Sequence, residues 1–562
     1  MIRYKLLLSL LLSGCCCMSQ RPCIKIIEGA EARVASDIRY LASDQLKGRE
    51  PGTEGANEAA RYIARSFEKM GIASAEEESA GQTFEIVTHI SFPKEGNALI
   101  YEKEELTIPR DFFPLAYSRT KGQVKGETIF VGYGIDAPEK EWNDYKKIKP
   151  KKLKDKILVI DISSPDGIHP HSEYLKYHDL GSRVDLAVEK GANGVVFVNL
   201  EEGASDPRNS YRTLKTRNIP VVFVQNPEIA EELKDGDDVE IHTQLKEVKV
   251  NAVNVMGYVD NGAARTAVIG AHYDHLGYGG SSSLYRGEAP EIHNGADDNA
   301  SGTAGLIELA RNISSRKSEF SKFNYLFVAF SGEEMGLLGS SYFVKNSPLP
   351  TSRMAYMLNM DMIGRLEENL LAVNGVGTSP LWPDVVRERK CSKLNLKTSE
   401  SGVGPSDHTS FYYREIPVLH FFTGTHMDYH KPSDDFEKIN IEGEVEVLEF
   451  ILNLIYNLET VGEVPYSATQ QETTSAPRFT VTLGVLPDYM FSEKGMRIDG
   501  VTEGKPASKA GLKAGDIVIK MGEMKVEDMM GYMRALGSFK SGDKTTVHYL
   551  RNGEEKTAEV QF

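Results

Sequence analysis

Cysteine is scarce and unevenly placed. The 562-residue chain carries five: Cys15, Cys16, Cys17 and Cys23 crowd its start, and Cys391 stands alone in the remainder. Such a distribution excludes a disulfide framework for the fold and reads Cys391 as a lone buried thiol. Excess positive charge is also missing: 65 Lys and Arg face 81 Asp and Glu, a formal net charge of −16. Nucleic acid is therefore excluded as a partner, because phosphate contacts need a basic surface. Long apolar runs are absent as well, since Leu6–Leu12 is too short to cross a bilayer as a helix. No internal repeat of solenoid length is apparent. What is present is ordinary for a globular chain, 40% hydrophobic and 26% charged, which excludes disordered, collagenous and polytopic membrane classes. The length suggests about three or four domains.

At the N-terminus, Arg3 and Lys5 precede Leu6–Leu12, and Ser13-Gly14-Cys15 follows. A basic region, an apolar core and small residues describe a secretory signal. Leu12-Ser13-Gly14-Cys15 also resembles the bacterial lipobox, in which the cysteine is acylated and becomes the first mature residue; the alternative is an ordinary cleaved signal. Residues 1–14 are then the signal, Cys15 the lipidation site and 15–31 an anchor and tether. The expected address is across the inner membrane, lipid-anchored at the cell envelope. Cys16 in place of Asp favours the outer membrane by resemblance to the sorting rule of diderm bacteria. The membrane is met through the lipid alone. Cys16, Cys17 and Cys23 are left without a role.

Texture changes along the body. Residues 32–71 have helical periodicity, interrupted by Pro51-Gly52-Thr53-Glu54-Gly55 and stopped at Gly71. Residues 122–250 hold short β-rich runs at 128–131, 157–162, 195–198 and 220–224, with a helical run at 186–190. His169, His171 and His178 fall there in a polar loop and read as solvated. From 254 to 458 strands (267–271, 325–330, 354–360, 417–422) alternate with helices (302–312, 444–458), which argues for an α/β domain with a largely parallel sheet. Residues 462–478 have linker composition, and 479–562 form a further small domain.

The expected strand ends carry polar clusters: His272-Tyr273-Asp274, Asp297-Asp298-Asn299-Ala300-Ser301-Gly302, Ser331-Gly332-Glu333-Glu334 and Asp361, with Tyr429-His430 through Asp434 in a later loop. Ligands collect at the carboxyl ends of open α/β sheets. Each cluster alone has a bland reading as a hydrogen-bonded pair, a solvated face or a helix cap. Converging carboxylates would repel, and a metal removes that cost. Imidazole with carboxylate suits zinc.

These motifs resemble the co-catalytic di-zinc aminopeptidase family, which includes bacterial leucyl aminopeptidases and the glutamate carboxypeptidase II type. Ser43-Asp44-Gln45-Leu46-Lys47-Gly48-Arg49 with Pro51–Gly55 resembles its N-terminal signature. Val131-Gly132-Tyr133-Gly134-Ile135 and Lys190-Gly191-Ala192 resemble a protease-associated insert. The resemblance implies an α/β zinc-exopeptidase fold, a mixed, mostly parallel central sheet flanked by helices, over 32–121 and 251–460. A β-rich insert occupies 122–250 and a linker 461–478. It implies two zinc ions per chain: Asp298 bridges, His272 and Asp361 complete one site, and Glu334 and His430 the other. Glu333 becomes the general base, deprotonating a metal-bridging water that attacks the scissile carbonyl. Asp274 orients His272, and Asp434 is expected to do the same for His430. Tyr429 either donates to the developing oxyanion or packs as an aromatic. Asp297, His408 and His426 are not expected to be ligands.

The implied activity is a peptide-hydrolysing aminopeptidase. Alternatives are a carboxypeptidase of acidic peptides, which needs an arginine cluster, a glutaminyl cyclase, and an inactive peptide-binding lipoprotein. Finally, Lys505–Val518 closely resembles the core of bacterial PDZ domains. In a PDZ domain over 479–562, Leu483-Gly484-Val485 would capture a peptide C-terminus, with Asp488 and Tyr489 narrowing the groove.

Overall fold

The computed structural model describes residues 22–75, 81–169, 172–387, 391–469, 481–487, 491, 494–501, 504–527, 529–539 and 542–562, apart from positions 202, 208, 281, 286 and 288. Cys15, Cys16, Cys17, His171, Asp488 and Tyr489 lie outside these residues. Two compact units are present, one formed by 1–84 with 252–473 and the other by 85–251 with 474–562. No helix among the described residues is long and apolar enough to cross a membrane.

The first unit opens with α1 (Ala30–Leu41) and α2 (Glu54–Lys69). Val34, Ile38 and Leu41 line one face of α1, and Ala56, Ala59, Ile63 and Phe67 one face of α2, the helical spacing of a core-facing stripe. Thr53 starts α2 by accepting the Ala56 N–H on its side chain. Seven strands follow: β1 (Lys246–Val259), β2 (Thr266–His272), β3 (Asn324–Phe330), β4 (Met354–Met360), β5 (Leu370–Asn374), β6 (Asn395–Ser399) and β7 (Val418–Phe422). They lie in the order β1-β3-β2-β4-β7-β5-β6 within a nine-stranded sheet, completed by Ala73–Ser74 and Gly81–Ser91, both on β1. β3, β2, β4 and β7 are mutually parallel, whereas β1 runs antiparallel to β3, and β5 runs antiparallel to β7 and parallel to β6. Every residue of β2, β3 and β4 is buried, as expected of parallel strands covered on both faces. The covers include α3 (Gly302–Ser315), with α4 (Leu338–Lys345), α5 (His408–Tyr412) and α6 (Ile441–Leu458). From β2 the chain passes to β3 on one side and then to β4 on the other. The carboxyl ends of β2 and β4 thus flank a topological switch point, where such sheets bind ligands.

The cysteine expectation is corrected here. Cys391 is not a free thiol; it is disulfide-bonded to Cys23 across 368 residues of sequence, with Cα atoms 5.5 Å apart. Pairing over that span leaves no trace in local spacing. The segment before α1 is also docked rather than a simple tether. Ile24 exchanges backbone hydrogen bonds with the Asn453 side chain of α6 at 2.9 and 2.8 Å, and Lys25 pairs with Glu449.

In the second unit, the buried parallel strands Ile157–Asp161, Gly194–Val198 and Val221–Val224 form the middle of an eight-stranded sheet. Helix Leu180–Glu189 is capped by Asp179. Ala98–Tyr101 and Phe112–Pro114 join this sheet by pairing with strands more than 100 residues later. The unit therefore begins at 85 rather than 122, because those pairings are long-range. His169 is held by the Asp166 carbonyl, and His178 contacts Ser164 and Ser172, so His178 belongs to a hydrogen-bonded loop rather than open solvent. The C-terminal six-stranded sheet has the core Leu483, Met496, Ile498, Leu512, Val518, Val547 and Val560.

Candidate metal centre

β2 ends at His272, and the chain turns through Tyr273, Asp274 and His275. Strand alternation stops there, so side chains three apart can face one point. Between β2 and α3 the backbone passes through Gly295 in the left-handed region (φ +57°), where a Cβ would collide with the Asp298 carbonyl and the His275 ring. Asp298 then leaves helical geometry and is joined to Asn299 by a cis peptide bond. Asn299 fastens this turn to the end of β4, donating to the Met360 carbonyl and accepting from the N–H groups of Met362 and Gly302.

The result is a convergent donor set. Asp298 offers one oxygen to each half: Oδ1 lies 3.4 Å from His272 Nε2, and Oδ2 lies 3.2 Å from His430 Nε2. Asp361 Oδ1 is 3.4 Å from His272 Nε2, and Glu334 Oε2 is 3.2 Å from His430 Nε2. Donors 2.0–2.1 Å from one tetrahedral ion stand about 3.3 Å apart, which is the spacing seen. Glu333 Oε2 lies 3.9 Å from His272 Nε2. One residue in this cluster escaped the sequence reading: His275, whose Nδ1 is 2.7 Å from Glu334 Oε1 and 3.8 Å from Asp298 Oδ2.

Electrostatics follow from that crowding. Burial works against charged imidazole, yet the facing Glu333, Asp361 and Asp298 hold the His272 proton well above its usual range. His430 is carried up to about 11 by Glu334 and Asp298 despite burial. A metal ion would replace those protons. Burial would raise Glu334, but His430 and His275 outweigh it and hold that carboxylate well below its usual range. Glu333 goes the other way. Burial, with Asp361 and Glu334 nearby, lifts it well above the usual carboxyl range against the pull of His272.

The supporting residues differ in part from expectation. Asp274 is fully buried, and burial pushes it up to about 7. Its carboxylate lies 3.8 Å from His272 Nδ1 and accepts the Glu333 N–H at 3.1 Å, while its own carbonyl is nearer the imidazole at 3.2 Å. Asp434 does not orient His430. It accepts the backbone N–H groups of Asp297 and Asp298 at 3.0 and 3.1 Å, whereas His430 Nδ1 meets the Ser282 carbonyl at 3.0 Å. Carboxylate spacing in sequence could not show that backbone amides are closer partners. The Tyr429 ring stacks on His430 at 3.8 Å. Asp297 turns away, toward His426 and the Gly364 N–H. His408 stacks on His420 at 4.5 Å, and neither reaches the donor set.

Arg49 explains the N-terminal signature. Its side chain is 1% exposed and donates to the carbonyls of Tyr273, Asn294, Gly295 and Leu41. Burial lowers it to about 10, partly offset by Asp298 and Asp274, so it stays charged. It pins the loops bearing His272, His275 and Asp298 to each other. The partners are carbonyls, which every residue type has, so only the motif itself could have pointed there.

In the C-terminal sheet, Leu483 is buried and its carbonyl accepts the Ala507 N–H; Gly484 has φ +76°, and Val485 pairs with Val501. The Gly484 N–H is donated to Thr482 Oγ1 at 3.0 Å, so carboxylate capture at that amide requires this bond to open.

Residues 254–455 match the model of peptidase family M28, and 479–562 match that of the PDZ domain. The first stretch is thus similar to the M28 peptidases. Aminopeptidase YwaD of Bacillus subtilis (strain 168) is 29% identical over 187 residues, covering 32% of this chain and 40% of that protein. A probable leucine aminopeptidase of Arthroderma otae is 36% identical over 218 residues, covering 36% of this chain and 56% of that protein. The chain thus spans only about half the length of these curated relatives. BSAP, a zinc aminopeptidase from Bacillus subtilis, superposes with TM-score 0.42 and 21% identity over 79% of this chain and 96% of its own. The donor set fits zinc: imidazoles and carboxylates converge with Asp298 facing both halves, and both His275 nitrogens are buried without a hydrogen-bond partner.

Proposed function

We propose that the protein is a zinc-dependent aminopeptidase that removes residues from the N-termini of peptides. The observation that carries this is Asp298, which presents one oxygen to each half of the donor set with Glu333 beside it. His272, Asp298 and Asp361 would hold one ion, and Asp298, Glu334 and His430 the other. Zinc, when bound, lowers the pKa of a coordinated water and polarises a carbonyl. Glu333 takes the proton of the attacking water and returns it to the leaving amine. Asp274 holds Glu333 by its backbone and faces His272, setting base and ligand in register. Tyr429, against the His430 ring, donates to the developing oxyanion.

An acidic wall suits a free α-ammonium group. A carboxypeptidase of acidic peptides would need free guanidinium groups, but Arg49 is bound to four carbonyls and Arg365 to Asp428. The test is a panel of aminoacyl anilides and C-terminal acidic dipeptides, with chelator and with zinc restored. Chelator-sensitive cleavage confined to the anilides is expected. Cleavage only of acidic dipeptides would favour the carboxypeptidase, and none at all the binding-protein reading.

We further propose secretion and anchoring through acylated Cys15. The Cys23–Cys391 disulfide is of the kind that persists in oxidising compartments. Mass spectrometry of the mature N-terminus checks the lipid. The C-terminal domain is proposed to take a peptide C-terminus at 483–485.

A further inference from the structure

The two halves of the donor set are not alike. On the side of His272, three protein groups face one another: His272, Asp298 and Asp361. On the other side there are four: His275 faces Asp298 and Glu334, and His430 Nε2 lies 3.2 Å from an oxygen of each of those carboxylates. His275 is 1% exposed, and neither of its nitrogens has a hydrogen-bond partner. Leaving a buried imidazole unpaired is costly. Its Nδ1 stands 2.7 Å from Glu334 Oε1 without the alignment of a hydrogen bond, and its ring meets that of His430 edge-on with centroids 5.8 Å apart. Two imidazoles thus face the same two carboxylates, sharing Asp298 Oδ2 and taking different oxygens of Glu334, the arrangement of ligands around a common centre. Arg49 and Gly295 hold the backbone on both sides of that loop.

We propose that His275 is a fourth protein ligand of the Glu334–His430 ion, so that this position is closed and holds its zinc tightly, while the His272–Asp361 position keeps an open place and exchanges its ion. Four protein ligands describe closed zinc sites, and three with an open place describe reactive ones. The inference rests on the zinc reading above but not on peptide hydrolysis, so its test reads metal directly.

The experiment uses the full chain, stripped and reloaded with zinc, with bound metal counted by mass spectrometry against a competing chromophoric chelator. Wild type is expected to bind two ions in two separated steps. His275→Ala should weaken the tighter step by more than the roughly 10- to 100-fold that loss of an outer-sphere partner costs, bringing the two steps together. His275→Asn keeps a donor for Glu334 and removes the imidazole. It should weaken the tight step similarly, and wild-type affinity in that variant would make His275 a hydrogen-bonding partner and overturn the proposal. Circular dichroism establishes that each variant is folded. If neither is, the wild-type protein loaded with cobalt decides. Three histidines with hyperfine-shifted ring protons are expected, and two would overturn the assignment.

Discussion

The first unit holds two groups of carboxylates that behave in opposite ways. Asp37 on α1 and Glu444 on α6 are nearly inaccessible and meet no imidazole. Burial pushes Asp37 up to about 6 even though Tyr62 donates to it, and Glu444, with neither oxygen partnered, well above its usual range. Glu334 and Asp361 are largely shielded too, with side chains 7% and 13% exposed, yet the imidazoles opposite them more than cancel burial and keep both below the usual range. Burial alone makes a carboxyl neutral; burial against a positive partner keeps it ionised and ready for a cation. Glu333 sits among the second group but titrates like the first, which fits a group that must carry a proton.

The sharpest break in this contrast is Glu333→Gln. Peptidase activity should fall by roughly 10²- to 10⁴-fold with bound zinc unchanged, measured by steady-state kinetics beside metal analysis; zinc lost in parallel with activity would reassign Glu333 as a ligand. Arg49→Met comes next. It leaves four buried carbonyls without their donor, so a loss on the order of 4 kcal/mol is expected in urea melts, accompanied by weaker zinc retention at both positions. A melt shifted without any change in zinc would confine Arg49 to the fold. Cys391→Ser should cost about 2–4 kcal/mol. Wild type under reductant should melt like the variant. The smallest effect belongs to Asp37. Its folded pKa of about 6 lies above the unfolded value, so its favourable contribution is complete below the unfolded pKa and is lost as pH climbs through about 6. Asp37→Asn should therefore match wild type near pH 4 and melt higher than wild type at pH 8; parallel curves at both pH values would remove the burial argument.

Much of this arrangement is legible in the residues themselves. The apolar run 354–360 is a strand over the same residues, and the helical pattern from Gly302 continues to Ser315. The polar groups after β2, β3 and β4 meet because parallel strands bring their carboxyl ends to one edge. What stays hidden is what local pattern does not encode. His275 follows two residues that already have roles, and nothing in the spacing shows where a side chain points once a strand has ended. Asp434 serves backbone amides, Arg49 serves carbonyls, and Cys23 meets Cys391 across 368 residues of sequence. The early strands of the insert pair with partners more than 100 residues away, so their domain begins before its local texture changes.

The docked segment ahead of α1 has a mechanical consequence. With Ile24 clasped by Asn453 and Cys23 bonded to Cys391, any pull on the preceding chain meets α6 and the covalent link before it reaches α1. Were Cys15 held in a bilayer, the leash to Cys23 could extend about 28 Å at most. The load would then be shared by one covalent bond and the Asn453 clasp, and reducing the disulfide would leave it to hydrogen bonds and packing alone.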